Sequence, residues 1–415
     1  MIDVAVPGDK SLSHRALIFS SLAEGRSRLR GLLDSADVRS TAECLRRLGV
    51  AMPTFGASIA VDGHGTQGLR DPGRDLDCGN SGTSARLLAG VVAGAGCTAR
   101  FIGDDSLSRR PMRRIAEPLE RMGARITCER GDGLPMIVHG AQLRSIEWTS
   151  VSASAQVKSA ILLAGLASRV AVTVREPALS RDHTERMLAA LGAPVSVSGT
   201  AVSLEVLREP LPGFDFTVPG DPSSAAFFAA WAVLADRPVR TSVVSTNPTR
   251  TGFFRALART GATVAYDDAG EACGEPVGRI AVGGALEAPF ALSAHDVPSL
   301  IDELPLIACL AAYAPGETRV TGAAELRLKE SDRIAAVVGN LRAIGADADE
   351  LTDGFVVRGQ RRALRGSVRT FGDHRIAMAF GVLAALAGND IALDDRDCVG
   401  VSFPAFWAEL ARVSA

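Results

Sequence analysis

Nearly uninterrupted runs of apolar residues recur along the chain, each directly after a short segment rich in Gly, Ser and Asp. These runs begin near residues 8, 79, 152, 220, 302 and 372. A helix that is apolar on every side belongs in a protein interior, so each run predicts a buried helix of about three turns. Successive starts are about 70 residues apart, which indicates a repeated structural unit.

A second helical segment follows each apolar run and is charged on one face. These segments begin near residues 37, 109, 180, 247, 328 and 402. Several end in Gly before a strand-like stretch, a common signal for the end of a helix. RITCERGDGLPMIVHG and VSVSGTAVSLEVL alternate around Gly turns and predict β-hairpins. The pattern predicts βαβαββ-type units in which one helix is buried, a second lies beside it, and short strands cover both.

The two halves of the chain are similar to each other. VPGDKSLSHRALIFSSLA at residue 6 is echoed by VPGDPSSAAFFAAWAVLA at residue 218, an offset of 212 in a chain of 415 residues. We therefore expect an α/β protein of two similar domains with three units each. The buried helices begin with small polar residues, and helix amino termini carry partial positive charge. If the halves face each other, these termini would form an anion site between them.

Composition and charge exclude several classes of function. The 45 basic and 47 acidic residues give a net charge of -2, which argues against a nucleic-acid partner. The apolar runs are shorter than the roughly 18 residues that span a membrane. The start MIDVAVPGDKS lacks the pattern of a signal peptide. The seven cysteines form no CxxC pair, so neither a zinc knuckle nor a disulfide framework is indicated, and a cytoplasmic protein fits best.

Candidate chemistry in the first half lies at the starts of the apolar helices. Lys10, Ser11 and Arg15 of GDKSLSHR place cations where they oppose the helix dipole unless an anion offsets them. Gly82 is at the centre of GNSGTSARLLAG, which is similar to a phosphate-binding loop of backbone N–H groups. A solvated face and an ordinary Gly-rich cap are the respective alternatives.

Two further segments of the first half supply polar groups. In SLSRRPMRR the arginines cannot all face one ligand, and Arg110, directly before Pro111 at a helix start, is the candidate anion clamp. In SASAQVK, Ser154 and Gln156 offer a hydroxyl and an amide, although capping alone would explain the serine.

The second half combines carboxylates with cations. Asp302 and Glu303 of IDELP lie at the start of a buried helix, where burial can raise the pKa of a carboxylic acid and suit it as a base. LRLKESDR and FGDHRIAMAF add the candidates Lys329, Glu330, Asp332, Arg333, Asp373, His374 and Arg375. N-capping by the carboxylates and a structural, hydrogen-bonded His374 are the alternatives.

Lysine is rare in this chain, and its positions are informative. Lys10, Lys158 and Lys329 are the only lysines among 45 basic residues, and all three lie inside the motifs above. This indicates sites where a compact ammonium group is required rather than a guanidinium.

Taken together, the motifs resemble those of one known family. PGDKSLSHRA, GNSGTSARLLAG, SRRPM, SAQVKSA, IDELP, LKESDR and DHRIAM have the order and spacing of 5-enolpyruvylshikimate-3-phosphate synthases, and the resemblance covers nearly the whole chain. It implies the enolpyruvyl transferase-like fold, an inside-out α/β barrel with helices packed inside. It also implies an N-terminal domain of residues 8–217, a C-terminal domain of residues 1–7 and 218–415, and an active site in the cleft between them.

The resemblance implies an activity and its substrates. This family, also called 3-phosphoshikimate 1-carboxyvinyltransferases, transfers the enolpyruvyl group of phosphoenolpyruvate to the 5-hydroxyl of shikimate 3-phosphate. The reaction releases phosphate, needs no metal or organic cofactor, and lies on the shikimate pathway to chorismate and aromatic amino acids. By resemblance, shikimate 3-phosphate is bound by Lys10, Ser11, Arg15, Ser154, Gln156, Arg181, Asp302 and Lys329. Phosphoenolpyruvate is bound by Lys10, Gly82, Arg110, Gln156, Arg333 and Arg375. We expect the protein to act as a monomer.

The same resemblance suggests catalytic roles. The reaction requires a base at the 5-hydroxyl and an acid at the methylene carbon of phosphoenolpyruvate. Asp302 corresponds to the base and Glu330 to the proton donor. Lys10 either shares in proton transfer or stabilises the departing phosphate.

Some positions are similar to the second class of the family. Val401, Ala155 and Glu325 stand where the better-known branch has lysine, serine and asparagine. The second class often tolerates the inhibitor glyphosate. The alanine often associated with tolerance is replaced here by Gly82, so the sensitivity of this chain stays open.

Other functions remain as alternatives. The sister enolpyruvyl transferase for UDP-N-acetylglucosamine has a lysine-asparagine pair where Lys10 precedes Ser11 here, and typically a loop cysteine that SLSRRPM lacks. RNA 3'-phosphate cyclase has a related repeat without these motifs. A non-catalytic anion-binding protein would not need Asp302 and Glu330. The acceptor could also be a close relative of shikimate 3-phosphate from a specialised pathway.

Overall fold

A computed structural model describes residues 1–415, apart from the side chains of residues 268 and 269. Its α-helices are α1 (Lys10–Leu22), α2 (Ala36–Arg47), α3 (Gly82–Gly94), α4 (Asp105–Ser108), α5 (Arg113–Met122), α6 (Ala155–Ser168), α7 (His183–Ala190), α8 (Pro222–Ala235), α9 (Gly252–Arg259), α10 (Leu304–Ala311), α11 (Arg333–Ala343), α12 (His374–Ala384) and α13 (Phe406–Ser414). Its strands are β1 (Ile2–Val4), β2 (Glu24–Arg30), β3 (Ser58–His64), β4 (Leu76–Asp77), β5 (Thr98–Ile102), β6 (Arg125–Cys128), β7 (Met136–His139), β8 (Ile146–Thr149), β9 (Val172–Arg175), β10 (Val195–Ser198), β11 (Ala201–Leu204), β12 (Asp215–Thr217), β13 (Val239–Thr241), β14 (Val244–Ser245), β15 (Thr263–Ala272), β16 (Glu275–Gly283), β17 (Glu317–Val320), β18 (Asp347–Leu351), β19 (Gly354–Arg358), β20 (Arg365–Val368) and β21 (Asp390–Leu393).

The two predicted series of helices are confirmed. The apolar series is α1, α3, α6, α8, α10 and α12, and the charged series is α2, α5, α7, α9, α11 and α13. Helix α6 is buried from Val157 to Ser168 without an exposed face. In contrast, α5 buries Ile115, Leu119 and Met122 along one side and keeps charged residues on the other. Each pair therefore has an inner and an outer helix, as the periodicity indicates.

Side-chain caps fix where the inner helices begin. Asp9, Ser81 and Ser154 each accept a hydrogen bond from the backbone N–H three residues further on. Such caps satisfy donors that a helix start would otherwise leave unpaired. The Gly/Ser/Asp segments thus place polar side chains at the amino ends of otherwise apolar helices.

The strands form separate small sheets. The order is β4-β5-β7-β6 in one sheet and β8-β9-β11-β10 in the next, and both consist of a parallel pair extended by an antiparallel hairpin. This is the predicted βαβαββ unit, with the predicted hairpins at its end. Within the described residues the strands belong to six separate sheets.

The first and fourth units depart from the simple repeat because each takes its first strand from elsewhere in the chain. Strand β12 precedes α8 in sequence, yet it pairs in parallel with β2, with Phe216 opposite Leu29. Strand β1 precedes α1, yet it pairs in parallel with β13, with Asp3 opposite Arg240. The chain therefore passes between the two halves at both copies of the VPGD sequence.

The chain divides into two compact units with separate apolar cores. The N-terminal unit contains residues 8–218 and 271–275, and the C-terminal unit contains residues 1–7, 219–270 and 276–415. The expected boundary at residue 217 is one residue early, because the Val218 N–H donates to the carbonyl of Arg30 at 2.9 Å. The expectation also missed residues 271–275. His183 Nδ1 lies 2.7 Å from Glu275 Oε1, and both side chains are fully buried in the N-terminal unit.

Close packing of α3 against α6 brings their amino ends together. A Cβ at Gly90 would lie 2.2 Å from the carbonyl oxygen of Ala160, and one at Gly94 would lie 2.4 Å from that of Ala164. Only glycine allows this approach. Both contacts join residues 70 positions apart, so the helices run in the same direction in register with the repeat. None of the described helices is long and apolar enough to span a membrane.

Candidate active site

The first site residues of the N-terminal unit lie on the opening turn of α1. The Nζ atom of Lys10 is 3.0 Å from Oδ2 of Asp37, in the first turn of α2, and the Lys10 side chain is 19% exposed. Ser11 follows Lys10 and is partly exposed. The ion pair directs the ammonium group while leaving part of it accessible to a ligand. Asp37 was predicted only as a helix start, and its position there gave no signal of this contact.

Arg15 lies one turn further along α1 and is buried. Its Nε donates to Thr184 Oγ1 and its Nη2 to Ser159 Oγ, both at 2.8 Å. Burial lowers the pKa of Arg15 to about 10, an effect that nearby Glu185 opposes. The guanidinium therefore remains charged at neutral pH, and the two hydroxyls hold it in one orientation.

The amino ends of α3 and α6 bring Gly82, Gln156 and Arg110 together. Arg86 Nη1 donates to Gln156 Oε1 at 2.6 Å, and Gln156 Nε2 donates to Thr83 Oγ1 at 3.2 Å. A Cβ at Gly82 would lie 2.8 Å from Arg86 Nη1 and 3.5 Å from Arg110 Nη1. Two guanidinium groups thus lie beside the first residue of α3, where helix N–H groups also favour an anion.

Arg86 is a residue that the sequence reasoning missed. The signal was present, because Arg86 is a single charge inside the otherwise apolar run SARLLAG. Its side chain is nearly buried and also donates to the Pro111 carbonyl. Arg110 in turn donates from Nη2 to Asn80 Oδ1 at 2.7 Å, which fixes the second guanidinium.

Ser154 and Arg181 lie on two loops that one carboxylate connects. Ser154 caps α6, and its backbone N–H donates to Glu176 Oε1 at 3.0 Å. The hydroxyl of Ser180, next to Arg181, lies 2.7 Å and 2.8 Å from the two oxygens of Glu176. Arg181 itself is partly exposed. Glu176 was not predicted, and nothing in its local sequence indicates this connection.

Asp302 is the centre of the site residues in the C-terminal unit. It lies in a short 3₁₀ helix, Ile301–Glu303, directly before α10. Its Oδ1 is 3.3 Å from Lys329 Nζ and 3.3 Å from Arg333 Nη1. The side chain is 15% exposed. Two cations therefore contact the carboxylate that the sequence predicts to be the base, while part of it stays open to a substrate hydroxyl.

Arg333 joins the other acidic groups of this cluster. Its Nη2 lies 2.6 Å from Glu330 Oε2, and its Nε lies 2.8 Å from Asp373 Oδ2. Although burial acts to lower it, the pKa of Arg333 is raised above its ordinary value by Asp373, Glu330 and Asp302. The buried guanidinium thus holds the predicted base and the predicted proton donor on one rigid group.

Arg375 and His374 lie at the start of α12. Arg375 Nη1 is 3.7 Å from Glu303 Oε1, and both side chains are buried. Its guanidinium also lies over the ring of Phe227, 5.9 Å from the centroid. His374 is buried beside it. Asp332 caps α11, which fits the alternative reading of that carboxylate as an N-cap.

The structure brings the predicted residues together as two sets. The N-terminal set is Lys10, Ser11, Arg15, Gly82, Arg110, Ser154, Gln156 and Arg181. The C-terminal set is Asp302, Lys329, Glu330, Arg333 and Arg375. Among the described side chains, no group of three or more His, Cys, Asp or Glu is placed to hold a metal ion. The first set is dominated by cations and amide or hydroxyl donors, and the second adds the carboxylates.

Comparison with known proteins gives a consistent result. The family model described as EPSP synthase (3-phosphoshikimate 1-carboxyvinyltransferase) matches residues 2–410. A 3-phosphoshikimate 1-carboxyvinyltransferase of Sulfurihydrogenibium is 45% identical over 99% of this chain and 96% of its own, and one of Gloeobacter violaceus is 46% identical over the same shares. The structure of an EPSP synthase from Acinetobacter baumannii superposes with a TM-score of 0.84 at 38% identity, covering 100% of this chain and 95% of that one. The chain belongs to the EPSP synthase family.

Proposed function

We propose that this protein transfers the enolpyruvyl group of phosphoenolpyruvate to the 5-hydroxyl of shikimate 3-phosphate and releases phosphate. The observation that carries the proposal is the cluster around Asp302. One carboxylate oxygen contacts Lys329 and Arg333, and Arg333 also contacts Glu330. A base, an acid and two cations are thereby combined, as addition of a hydroxyl to an anionic enol phosphate requires.

In the proposed mechanism the two carboxylates have different tasks. Asp302 accepts the proton of the 5-hydroxyl as the oxygen forms a bond to C2 of phosphoenolpyruvate. Glu330 gives a proton to C3, so a tetrahedral adduct forms. In the second step the bond from C2 to the phosphate oxygen breaks and phosphate leaves, a proton returns from C3 to the Glu330 carboxylate, and the double bond is restored. Arg333 contacts both carboxylates, and its positive charge stabilises the negative charge on each of them as protons are transferred.

The N-terminal set is proposed to bind the anionic groups of both substrates. Gln156, Arg110 and the amino end of α3 at Gly82 suit phosphoenolpyruvate, together with Lys10 and with Arg333 and Arg375 of the C-terminal unit. Ser11, Arg15, Ser154 and Arg181 suit shikimate 3-phosphate, together with Lys10, Gln156, Asp302 and Lys329. Guanidinium groups fit carboxylates and phosphates because they donate paired, charge-assisted hydrogen bonds. Lys10 is proposed either to share in proton transfer or to stabilise the leaving phosphate.

We also propose a cytoplasmic, monomeric enzyme. All seven cysteines are free thiols, which fits a reducing compartment. Analytical ultracentrifugation of the purified protein at assay concentration tests the monomeric state. A monomer has a mass of 43.2 kDa, and a dimer would have twice that mass.

The decisive experiment mixes purified protein with phosphoenolpyruvate, with and without shikimate 3-phosphate. Phosphate release and the mass of the organic product are measured together. Release only with the acceptor, accompanied by an enolpyruvyl adduct, is the expected result. If neither phosphate nor adduct forms while both ligands bind, the acceptor is a different molecule or the protein is a non-catalytic anion binder.

A further inference from the structure

One lysine of the sequence motifs has no part in the chemistry described above. Lys158 lies in the first turns of α6, and its side chain is 1% exposed. Its Nζ is 2.8 Å from Glu176 Oε2 and 2.8 Å from Glu185 Oε1, and both carboxylates are nearly fully buried. Removing three charged groups from water is costly. This cost is incurred near the amino end of a helix that carries predicted substrate ligands.

Glu176 connects Lys158 to two of the residues proposed to hold shikimate 3-phosphate. Its Oε1 accepts the backbone N–H of Ser154 at 3.0 Å. Its two oxygens accept the hydroxyl of Ser180, which directly precedes Arg181. The position of this carboxylate therefore sets where the Ser154 hydroxyl and the base of the Arg181 side chain lie.

Glu185 connects Lys158 to the third ligand, Arg15. Thr184 directly precedes Glu185, and Ser159 directly follows Lys158. The hydroxyls of these two residues accept hydrogen bonds from the guanidinium of Arg15, and their oxygens lie 2.7 Å from each other. The ion pair between Lys158 and Glu185 joins α6 to α7 at the residues that hold Arg15.

We infer that Lys158 is a positioning residue for the acceptor: through Glu176 and Glu185 it holds Ser154, Arg181 and Arg15 in the arrangement that binds shikimate 3-phosphate. The inference rests on the proposed function. An ammonium group suits this role because its donors can point at two carboxylates at once. The described ion pairs of Lys158 lead to neither Gly82 nor Arg110, and the side chain of Gln156, also on α6, is held by Arg86 and Thr83. Phosphoenolpyruvate binding therefore does not depend directly on Lys158.

The test compares steady-state constants for both substrates in Lys158→Met and Glu176→Gln. We expect KM for shikimate 3-phosphate to rise at least about tenfold in each variant, since hydrogen bonds to charged groups are lost. KM for phosphoenolpyruvate and kcat should each change less than about threefold. In the double variant, KM for shikimate 3-phosphate should rise by much less than the product of the two single-variant increases, because both substitutions break the same ion pair.

Leu163→Ala is the matched control. Leu163 is a buried apolar residue of the same helix, so its truncation lowers the melting temperature without touching the ion pairs. Both KM values should stay unchanged in this variant. If KM for the two substrates rises in parallel in Lys158→Met, or stays unchanged for both, the positioning role is refuted.

Calorimetric titration with shikimate 3-phosphate alone separates this inference from the proposed function. Wild-type protein that binds the ligand without turning it over would contradict the proposed function only. A loss of affinity of at least about tenfold in Lys158→Met would then still support the positioning role. Equal affinity of wild type and variant, or no affinity in either, would refute it.

Discussion

Arg333 Nε lies 2.8 Å from Asp373 Oδ2, and the two side chains are 2% and 0% exposed. Asp373 also caps α12 by accepting the N–H of Arg375, and it accepts the hydroxyl of Ser331. One carboxylate thus holds the buried guanidinium of the cluster around Asp302 and the start of the helix that carries Arg375. We therefore expect folding and the proposed substrate binding to depend on the same carboxylate.

Asp373→Asn should lower both the stability of the fold and the affinity for phosphoenolpyruvate. The substitution replaces one of three carboxylates around the buried Arg333 by a neutral amide, so the loss of stability should stay below the about 3 to 5 kcal/mol that a fully unpaired buried charge costs. Urea unfolding measures the loss of stability, and KM for phosphoenolpyruvate should rise in the protein that remains folded. Unchanged stability would show that Glu330 and Asp302 alone satisfy the guanidinium.

Asp302→Asn separates catalysis from binding. The amide keeps the shape of the side chain and can still accept from Lys329, but it cannot take a proton. We expect kcat to fall by about 10²-fold to 10⁴-fold, the usual contribution of a general base. Affinity for shikimate 3-phosphate, measured by calorimetry, should change only a few-fold. Turnover close to that of the wild type would exclude Asp302 as the base.

Gly82→Ala tests the site at the start of α3. The new methyl group would lie 2.8 Å from Arg86 Nη1, so the end of a flexible side chain has to move. Because Arg86 holds Gln156, KM for phosphoenolpyruvate should rise. The stability of the fold should be equal or higher, because alanine favours a helix by about 0.5 to 1 kcal/mol over glycine. Thermal unfolding and substrate titration give the two values. A drop in melting temperature with unchanged KM would contradict this account.

The buried His14 should make stability depend on pH. Burial, followed by the charges of Lys10 and Arg15, holds the pKa of His14 well below its usual range. Its Nδ1 contacts Thr41 Oγ1 at 2.7 Å. Below pH 6.5 the unfolded chain binds a proton that the folded protein does not, so stability falls as pH falls, by up to about 1.4 kcal/mol per pH unit.

The comparison that checks this is the free energy of unfolding of wild type and His14→Gln between pH 7 and pH 5. The glutamine variant keeps a polar contact to Thr41 and lacks the titrating group, so its stability should decline less over that range. Parallel curves for the two proteins would assign the pH dependence to other groups.

The helices and their period were predictable because burial determines the pattern of apolar and polar residues along each helix. An inner helix such as α6 has no polar face, and an outer helix such as α5 has one. The N-cap Ser154 was predictable for a different reason, since capping is a local interaction.

Pairings between distant segments of the chain produce no such local pattern in the sequence. The exchange of β1 and β12 depends on which strand each meets in space, and a three-residue strand has too few side chains to specify its partner. The roles of Glu176, Asp37 and Glu275 were missed for the same reason: each joins segments more than 20 residues apart. The motifs predicted candidate ligand-binding side chains but not the groups that hold those side chains in place.

The exchanged strands also govern the order in which a growing chain can fold on the ribosome. Residues 1–7 are synthesised before the N-terminal unit, yet β1 cannot pair until β13 has been made, more than 230 residues later. The N-terminal unit can be completed once residue 275 has emerged, whereas the C-terminal unit, which contains β1, also needs residues 276–415 and is completed later. Until then β1 has no strand to pair with, and its length of only three residues limits mispairing during synthesis.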